Sequence, residues 1–421
     1  MGATQYVQYV NTAYEVYDKT TGASVLGPLA GNAIWSNFGT CGRNDDGDPI
    51  VSYDKVAGRW FFAQNVFVTP YTVCIAVSTT SDATGSYNRY SYSVGNVNFP
   101  DYPKWGVWPD NVNNAYFQSF NVFQNGITLT GSEACAADRA NMLAGNAAPN
   151  FVCFTTQGGG STKIQSNILP ADLDGTTPPP AGSTGYYVGI ATSTANLNIY
   201  KFHVDFSVTS NSTFSNPTTI TTASFNEICP STLRNACIKQ PDGGESLEGL
   251  SDRLMYRLSY RNFGTHESLL VNHTVTPATG STANAAVRWY EVRSPASSPT
   301  VFQQGTFQNP SISYWMGSIA QDKLGDIALG FSATSTAVDP SVQYTGRVPT
   351  DPLGTMEGAK EVILGTGVQK NTSQRWGDYS DMTVDPTDDC TIWYTQMYIK
   401  TTGSFNWNTR INSFRFPSCH G

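Results

Sequence analysis

The sequence predicts an all-β protein, because a turn-rich composition is combined with a hairpin pattern that recurs along the chain. Charged residues make up only 13% of the 421 residues, and the chain contains 38 glycines and 22 tyrosines. Such a composition suits many short strands and tight turns better than long helices. One stretch, residues 131–143, has a composition that predicts a short helix instead.

The recurring pattern is an apolar run that ends in an aspartate, followed by a short polar turn and a second apolar run. In five places the second run starts five or six residues after the aspartate. This spacing suits a β-hairpin whose turn is opened by the Asp side chain bonding its own backbone. The five aspartates are Asp18, Asp54, Asp110, Asp322 and Asp385. We expect them to cap turns and to take no part in the chemistry.

Hairpins that repeat at intervals of several tens of residues indicate a repeat architecture, and we predict a β-propeller with seven blades. The predicted blades cover residues 6–26, 48–94, 104–154, 168–220, 254–307, 313–364 and 379–416. Six blades are the alternative, if the N-terminal strands complete the last blade. In either case we expect the chain termini to close the ring, so that residues 1–421 form a single domain.

Eight cysteines predict disulfides and an oxidising compartment. None lies in a Cys-x-x-Cys pair, which argues against a structural zinc site, and the even count in an acidic chain favours cross-links. The most economical pairing joins neighbours in sequence: Cys41 to Cys74, Cys135 to Cys153, Cys229 to Cys237, and Cys390 to Cys419. We therefore expect a secreted or periplasmic protein whose export signal has been removed, since the N-terminus lacks a charged-then-apolar pattern.

The charge balance argues against a nucleic-acid partner. The chain has 24 basic and 32 acidic residues, a net charge of −8, whereas phosphate neutralisation needs clustered Lys and Arg. No window approaches the roughly 18 consecutive apolar residues of a membrane span. We expect neither a nucleic-acid partner nor a membrane span.

Candidate site residues follow from the predicted fold, because polar residues just before each innermost strand should surround the propeller axis. As catalytic residues we predict Asp101, His266, Glu267, Asp378 and Tyr379, and as substrate-binding residues Tyr102, Lys104, Trp315, Arg375 and Trp376. Aromatic faces stack on sugar rings, carboxyl groups supply general acid and base, and arginine can hold a uronate. The sequence therefore predicts a glycan-directed site at the mouth of the channel.

The reaction at this site stays open between three classes. A glycoside hydrolase would use two of the three predicted carboxyl groups as acid and base. A polysaccharide lyase would use His266 or Tyr379 as base, with Arg375 or Lys104 neutralising the uronate carboxylate. A non-catalytic glycan-binding, protein-binding or adhesion propeller would need no tuned acid at all. We prefer an enzyme acting on an extracellular polysaccharide or glycoconjugate.

We predict no required cofactor, but one run of oxygen ligands suits calcium. Asp45, Asp46 and Asp48 lie within four positions of one another. Carboxylate oxygens are the ligands that calcium prefers, although the run lacks the distal glutamate of a twelve-residue EF-hand loop. The sequence therefore predicts a structural calcium ion here.

Four stretches, residues 44–54, 101–110, 261–273 and 375–385, give the chain a resemblance to a known group. It resembles secreted bacterial proteins described as sialidase-like or BNR-like propellers, whose activity is uncharacterised, over nearly its full length. The resemblance implies a propeller fold and no particular reaction. True sialidases carry the turn Ser-x-Asp-x-Gly-x-x-Trp, which is not found here, so sialidase chemistry is not implied.

Overall fold

The computed structural model describes residues 1–156, 165–230, 232–277, 284–370 and 372–420. The fold is all-β, as predicted, and it divides into two compact units. Unit 1 comprises Met1–Val188, Tyr200–Pro217 and Asp385–Thr387, and unit 2 comprises Gly189–Ile199, Thr218–Val384 and Asp388–Gly421. The single domain predicted above stays a prediction. In the described part of the chain, no helix has the length and apolarity of a membrane span.

Unit 1 contains four sets of neighbouring antiparallel strands, β1–β3, β4–β7, β8–β11 and β12–β15, except that Gly189–Ile190 of β13 and Asn196–Ile199 of β14 belong to unit 2. The strands are β1 (Gln5–Val10), β2 (Ala13–Asp18), β3 (Ser24–Ala30), β4 (Ile50–Asp54), β5 (Arg59–Val66), β6 (Tyr71–Ser78), β7 (Tyr87–Gly95), β8 (Asn98–Trp108), β9 (Ala115–Gln124), β10 (Thr128–Asp138), β11 (Phe151–Thr155), β12 (Leu169–Leu173), β13 (Gly185–Ile190), β14 (Asn196–His203) and β15 (Thr213–Phe214). Its helices are α1 (Gly39–Arg43), α2 (Arg139–Leu143) and the 3₁₀ segments Gly31–Trp35 and Thr209–Asn211.

Unit 2 contains three further sets, β17–β20, β21–β24 and β25–β27, and a short strand β16 that pairs with Asn196–Ile199 of β14. The strands are β16 (Thr218–Thr221), β17 (Met255–Asn262), β18 (Glu267–Val275), β19 (Ala286–Arg293), β20 (Thr300–Phe307), β21 (Ser313–Gln321), β22 (Ile327–Thr334), β23 (Ser341–Arg347), β24 (Lys360–Ile363), β25 (Asp381–Val384), β26 (Ile392–Ile399) and β27 (Trp407–Phe414). A 3₁₀ segment covers Leu233–Asn235.

Taken in chain order, the strand runs match the predicted segments to within a few residues at most boundaries, although their hydrogen bonding does not separate them into seven sheets. Burial falls from the first strands of a set to the last: every residue of β21 and β22 is buried, whereas β24 is partly to fully exposed. This gradient is what a propeller blade would show, since its inner strands are covered by neighbours. The number of blades and the closure of a ring stay predictions.

All five predicted aspartates cap their turns. In each, backbone N–H groups two to four residues later donate hydrogen bonds of 2.8 to 3.1 Å to the carboxylate. Such a turn closes on itself without help from other elements, which is why the sequence spacing alone revealed it.

The four predicted disulfides are also confirmed: Cys41–Cys74, Cys135–Cys153, Cys229–Cys237 and Cys390–Cys419. The predicted helix at residues 131–143 is wrong for its first eight residues, which belong to β10, and only Arg139–Leu143 is helical. This segment pairs with β9 on one side and β11 on the other. Two sheet edges and a disulfide therefore outweigh the helix propensity of its alanines.

Candidate functional site

Two carboxyl groups and an arginine from distant parts of the sequence meet in unit 2. Glu248 Oε1 accepts a 2.7 Å hydrogen bond from the backbone N–H of Trp376 and lies 3.6 Å from Arg375 Nε. Arg375 Nη2 also donates to Asp378 Oδ2. Glu248 and Asp378 are themselves hydrogen-bonded through their side chains. We call Glu248, Arg375 and Asp378 the carboxyl–arginine cluster.

The segment before β25 presents Arg375 and Asp378 together because its backbone turns sharply between them. Gly377 has a φ of +39°, in the left-handed region that glycine adopts without a Cβ penalty, and its N–H donates to Met397 Sδ at 3.0 Å. Trp376 points inward, where its Nε1 donates to Ser332 Oγ at 3.0 Å. The buried indole fixes the position of the segment. Arg375 and Asp378, which precede and follow it, are then close enough to form their ion pair.

Glu248 is delivered by an irregular loop that follows β16. The Cys229–Cys237 disulfide closes one end of this loop, and a β-bridge joins Ile238 to Leu247 directly before the glutamate. The Glu248 N–H then donates to the Gln374 carbonyl at 2.9 Å. Backbone and side chain of Glu248 thus both contact the 374–378 segment, which fixes the carboxyl group against its partners.

Burial and charge set the protonation of this cluster. Burial, with the Asp378 charge added to it, raises the pKa of Glu248 to about 8. Arg375 and the Trp376 N–H act in the opposite direction without cancelling the effect. At neutral pH Glu248 therefore keeps its proton and shares it with the Asp378 carboxylate, so the two carboxyl groups carry one negative charge between them.

Accessibility rises in steps across the site. The exposed fraction of the side chain is 0% for Glu248, 13% for Asp378, 34% for Arg375 and 42% for Arg234, whose Nη1 lies 3.5 Å from Glu248 Oε2. With Glu248 protonated, the two guanidinium groups and the Asp378 carboxylate leave a net charge of +1. A cationic rim in an acidic protein can attract an anionic ligand. The Asp378 side chain is the more exposed of the two carboxyl groups, although its Oδ1 is buried and its Oδ2 accepts from Arg375.

Tyr379 follows the cluster directly and is partly buried, with its ring centroid 6.4 Å from that of Tyr256. Trp315 and Trp376 were predicted to stack on sugar. They are 0% and 1% exposed, and their rings pack on each other at 5.7 Å. The structure gives both indoles a packing role beneath the site, because neither face is accessible to a ligand.

His266 and Glu267 need a correction. They do precede a strand, since His266 lies in the turn after β17 and Glu267 is the first residue of β18. Met255, at the start of β17, packs in the same apolar cluster as Trp376. An eight-residue strand spans about 26 Å at 3.3 Å per residue. These two residues are therefore at the far end of β17 from the carboxyl–arginine cluster.

The contacts of His266 and Glu267 are local. Glu267 Oε1 accepts a 2.8 Å hydrogen bond from Tyr260 OH. The His266 ring stacks on Phe263 at 4.7 Å, and burial together with the Arg293 charge lowers the pKa of His266. A neutral imidazole held by its own turn is better explained as a structural residue than as a base.

The predicted residues of unit 1 are largely buried as well. Tyr102 and Lys104 are 5% and 1% exposed, and the Lys104 Nζ lies 3.0 Å from the centre of the Tyr102 ring. They flank a β-bulge in β8, where Tyr102 has a φ of +57°. Asp101, at the start of the same bulge, is partly buried and lies opposite Asn121. Bulges re-aim side chains, and here the cation is turned inward onto the ring.

The predicted calcium ligands of unit 1 are engaged separately. Asp45 Oδ2 accepts from the Gly31 N–H at 3.0 Å, and Asp46 Oδ2 accepts from the Phe67 N–H at 2.8 Å. Asp48 has a φ of +51° and serves the bend before β4. A calcium ion at these residues stays a prediction.

Over the described residues, one group of three or more His, Cys, Asp or Glu side chains lies close enough together to hold a metal: Glu133, Cys135 and Cys153. Both of its cysteines belong to a disulfide and have no thiolate to offer. This group is therefore not a metal site.

No protein-family model matches this chain, and no curated protein does. Among solved structures, a protein of unknown function from Dyadobacter fermentans DSM 18053 aligns over 89% of this chain and 83% of its own, at 9% identity and a TM-score of 0.36. A thermostable family-43 glycoside hydrolase aligns over 89% and 90%, at 8% identity and 0.33. The tail fiber of Staphylococcus aureus phage P68 aligns over 88% and 91%, at 8% identity and 0.17. At TM-scores below 0.5 these likenesses carry no argument, and the sialidase-like resemblance stays a prediction.

Of the predicted site residues, the structure brings Arg375 and Asp378 together in the carboxyl–arginine cluster, with Tyr379 next to them in sequence. Sequence reasoning missed Glu248 and Arg234. The available signal for Glu248 was its setting, a lone acid between Leu247 and Gly249-Leu250 in a chain with few charges. A carboxyl group with apolar neighbours on both sides is a candidate for burial and a raised pKa.

Proposed function

We propose that the protein is a secreted β-propeller of seven blades that cleaves an extracellular polysaccharide containing uronic acids, with the carboxyl–arginine cluster as its active site. The observation that carries this proposal is the geometry of the cluster, in which the buried Glu248 and the partly buried Asp378 both contact Arg375, with Arg234 beside Glu248. The four disulfides support an oxidising, extracellular setting.

The net positive rim supports an anionic substrate. Arginine recognises carboxylates through paired N–H donors in a fixed plane. Arg375 is one-third exposed and Arg234 two-fifths exposed, so both can meet a uronate at the surface. A neutral sugar would gain nothing from this charge.

The reaction that the cluster supports best is elimination. Two carboxyl groups of a hydrolase stand about 5 Å or more apart on either side of the glycosidic bond, whereas Glu248 and Asp378 are in direct contact. Glu248 and Asp378 therefore act as a single acid, and not as the separate acid and base of a hydrolase. Elimination needs one acid, one base and a cation on the uronate carboxylate, and residues 375–379 offer all three.

In this scheme Arg375 holds the uronate carboxylate, and Tyr379 acts as the phenolate, its own proton having gone to solvent before the step. The phenolate oxygen accepts the proton from the neighbouring carbon and becomes the phenol. The electrons of that C–H bond form a carbon–carbon double bond, and the bond to the glycosidic oxygen breaks. Asp378 passes the shared proton to the leaving oxygen. Protons and electrons are then balanced, and no cofactor is needed. Glu248, which is fully buried, is a positioning residue that holds the proton on the pair.

A glycoside hydrolase is the second candidate, and the raised pKa of Glu248 favours it, because a general acid must be protonated at working pH. In that case Asp378 delivers the proton and a second carboxylate outside the cluster activates water. The two reactions give different products, since only elimination leaves an unsaturated uronate.

The test is a panel of polygalacturonate, alginate and hyaluronan, read by ultraviolet absorbance for unsaturated uronate and by a reducing-end assay. Elimination raises both signals, hydrolysis raises only the reducing ends, and binding without either would show a lectin-like protein. Asp378→Asn and Tyr379→Phe should abolish the absorbance signal. Asp252→Asn, which breaks the neighbouring Arg253–Asp252 ion pair of the same unit, should leave it unchanged.

A further inference from the structure

The turn between β21 and β22 differs from the other aspartate turns in what faces its carboxylate. Asp322 caps the turn through Oδ1, but its Oδ2 is buried and has no hydrogen-bond partner. Asp326, four residues on, accepts from Ser418 at one oxygen, while its Oδ1 is likewise buried without a partner. The two side chains are 0% and 1% exposed.

A neutral side chain adds a third acceptor to this turn. Gln321 is 3% exposed, and its amide Nε2 donates to the Gly325 carbonyl at 3.2 Å, which places the amide group in the turn. Its Oε1 is buried and has no partner. Three buried acceptor oxygens thus occur within six residues, and acceptors cannot satisfy one another.

The other turns show what normally fills this place. Arg139 donates to both oxygens of Asp54, at 2.6 and 2.8 Å, Lys19 donates to Asp385 at 3.0 Å, and the Gly182 N–H donates to Asp110 at 3.0 Å. In each case a donor from outside the turn meets the capping carboxylate. At Asp322 an acid stands nearby instead.

The surrounding basic groups of unit 2 have other partners, although the Arg347 Nε is buried and has no hydrogen-bond partner. Arg261 forms two hydrogen bonds to Asp389 at 2.6 and 2.8 Å, and Lys323 Nζ donates to the Asp388 carbonyl at 3.0 Å. Arg347 is buried and donates to the Asp351 carbonyl, and its charge also faces Glu291 and Asp326. The Arg261 charge also acts on Asp322, but the two guanidinium groups are shared with Asp351, Asp389 and Glu291, so two cations face five carboxyl groups.

We propose that the turn Gln321–Asp326 binds one divalent cation, with Asp322 Oδ2, Asp326 Oδ1 and Gln321 Oε1 as its protein ligands. Two carboxylates match a divalent charge, and hard oxygen donors exclude the softer transition metals. Ca²⁺ fits better than Mg²⁺, since Mg²⁺ gives up its water reluctantly and the site is buried. The cation would fasten the turn and serve stability, independently of the active-site proposal.

The test uses the full chain after removal of metals with EDTA and measures the melting temperature in Ca²⁺, Mg²⁺ or Na⁺ at equal ionic strength. Ca²⁺ should raise the melting temperature by about 3 °C or more, and Mg²⁺ by less. Asp326→Asn should weaken Ca²⁺ binding at least about tenfold. Asp18→Asn, which changes a turn-capping aspartate with no second acid beside it, should keep the full response.

A second variant keeps the test decisive if Asp326→Asn folds poorly. Gln321→Glu adds a third carboxylate, which should tighten Ca²⁺ binding and enlarge the rise in melting temperature. The proposal is overturned if the wild-type protein shows no response that is specific to Ca²⁺. It is equally overturned if both variants respond as the wild type does, because the ion would then bind elsewhere.

Discussion

The backbone N–H of Trp376 donates a 2.7 Å hydrogen bond to the side chain of Glu248, 128 residues earlier in the chain. This contact ties the loop after β16 to the segment before β25 and sets a buried carboxyl group beside Asp378. The chemistry proposed for the site depends on that contact, because it fixes which two carboxyl groups share a proton.

Glu248→Gln should change how stability depends on pH. The folded-state pKa of Glu248, about 8, lies above its ordinary value of 4.5. The protonated group therefore stabilises the fold fully below pH 4.5, and this stabilisation is lost as the pH rises through 8. Glutamine does not titrate, so urea unfolding at pH 5 and pH 8.5 should show the variant gaining about 2 kcal/mol or more on the wild type. An unchanged difference at the two pH values would contradict the assigned pKa.

Arg375→Lys should weaken binding of a uronate oligosaccharide about tenfold or more, even though the charge is kept. Lysine cannot reproduce the planar pair of N–H donors that matches a carboxylate. Isothermal titration with an oligogalacturonate measures the effect. Arg253→Lys is the matched control, since that arginine also contacts an adjacent aspartate, Asp252, in the same unit. Equal affinity for both variants would remove Arg375 from the binding site.

Arg139→Met should destabilise unit 1 strongly. Arg139 makes two hydrogen bonds to Asp54, and Tyr116 OH makes a third at 2.9 Å. Asp54 is fully buried. Removing the Arg139 cation leaves the negative charge of Asp54 buried without a partner, which should lower the free energy of unfolding by about 3 to 5 kcal/mol. Asp54→Asn in the same chain should recover a large part of this loss. Denaturant unfolding of the single and double variants tests the coupling, and additive losses would contradict it.

The double variant Cys229→Ala/Cys237→Ala should affect the site more than the fold. Its disulfide closes only eight residues, which corresponds to about 2 kcal/mol in the chain-entropy account. The loop that carries Glu248 is no longer held by the disulfide, so the rate of cleavage of the uronate substrate should fall several-fold. Cys390→Ala/Cys419→Ala, which opens a 29-residue loop in the same unit, serves as the control: stability should fall further, and activity should be retained at low temperature.

The features that the sequence predicted well are those specified by short-range chemistry. Asp54 and its four counterparts bond to their own turns, and each disulfide joins cysteines no more than 33 residues apart. The strand sets follow the same logic, since each is a local meander. No long-range information is needed for any of them.

The site was harder to predict because its members are separated in sequence. Glu248 and Trp376 meet through an irregular loop that no periodicity describes. His266 does precede a strand, β18, but this turn lies at the opposite end of β17 from Met255, which packs with Trp376. Trp315 and Trp376 were predicted to bind sugar from their position before a strand, and that position does not reveal burial.

The most direct test of the account is a ¹³C NMR titration of the Glu248 carboxyl group, assigned by its disappearance in Glu248→Gln. The account predicts a midpoint near pH 8 in the wild type and a lower one in Asp378→Asn, because the negative neighbour is removed while burial remains. Titration of Glu248 near the ordinary glutamate value of 4.5 would show that the pair holds no shared proton at neutral pH, and the proposed acid would be lost.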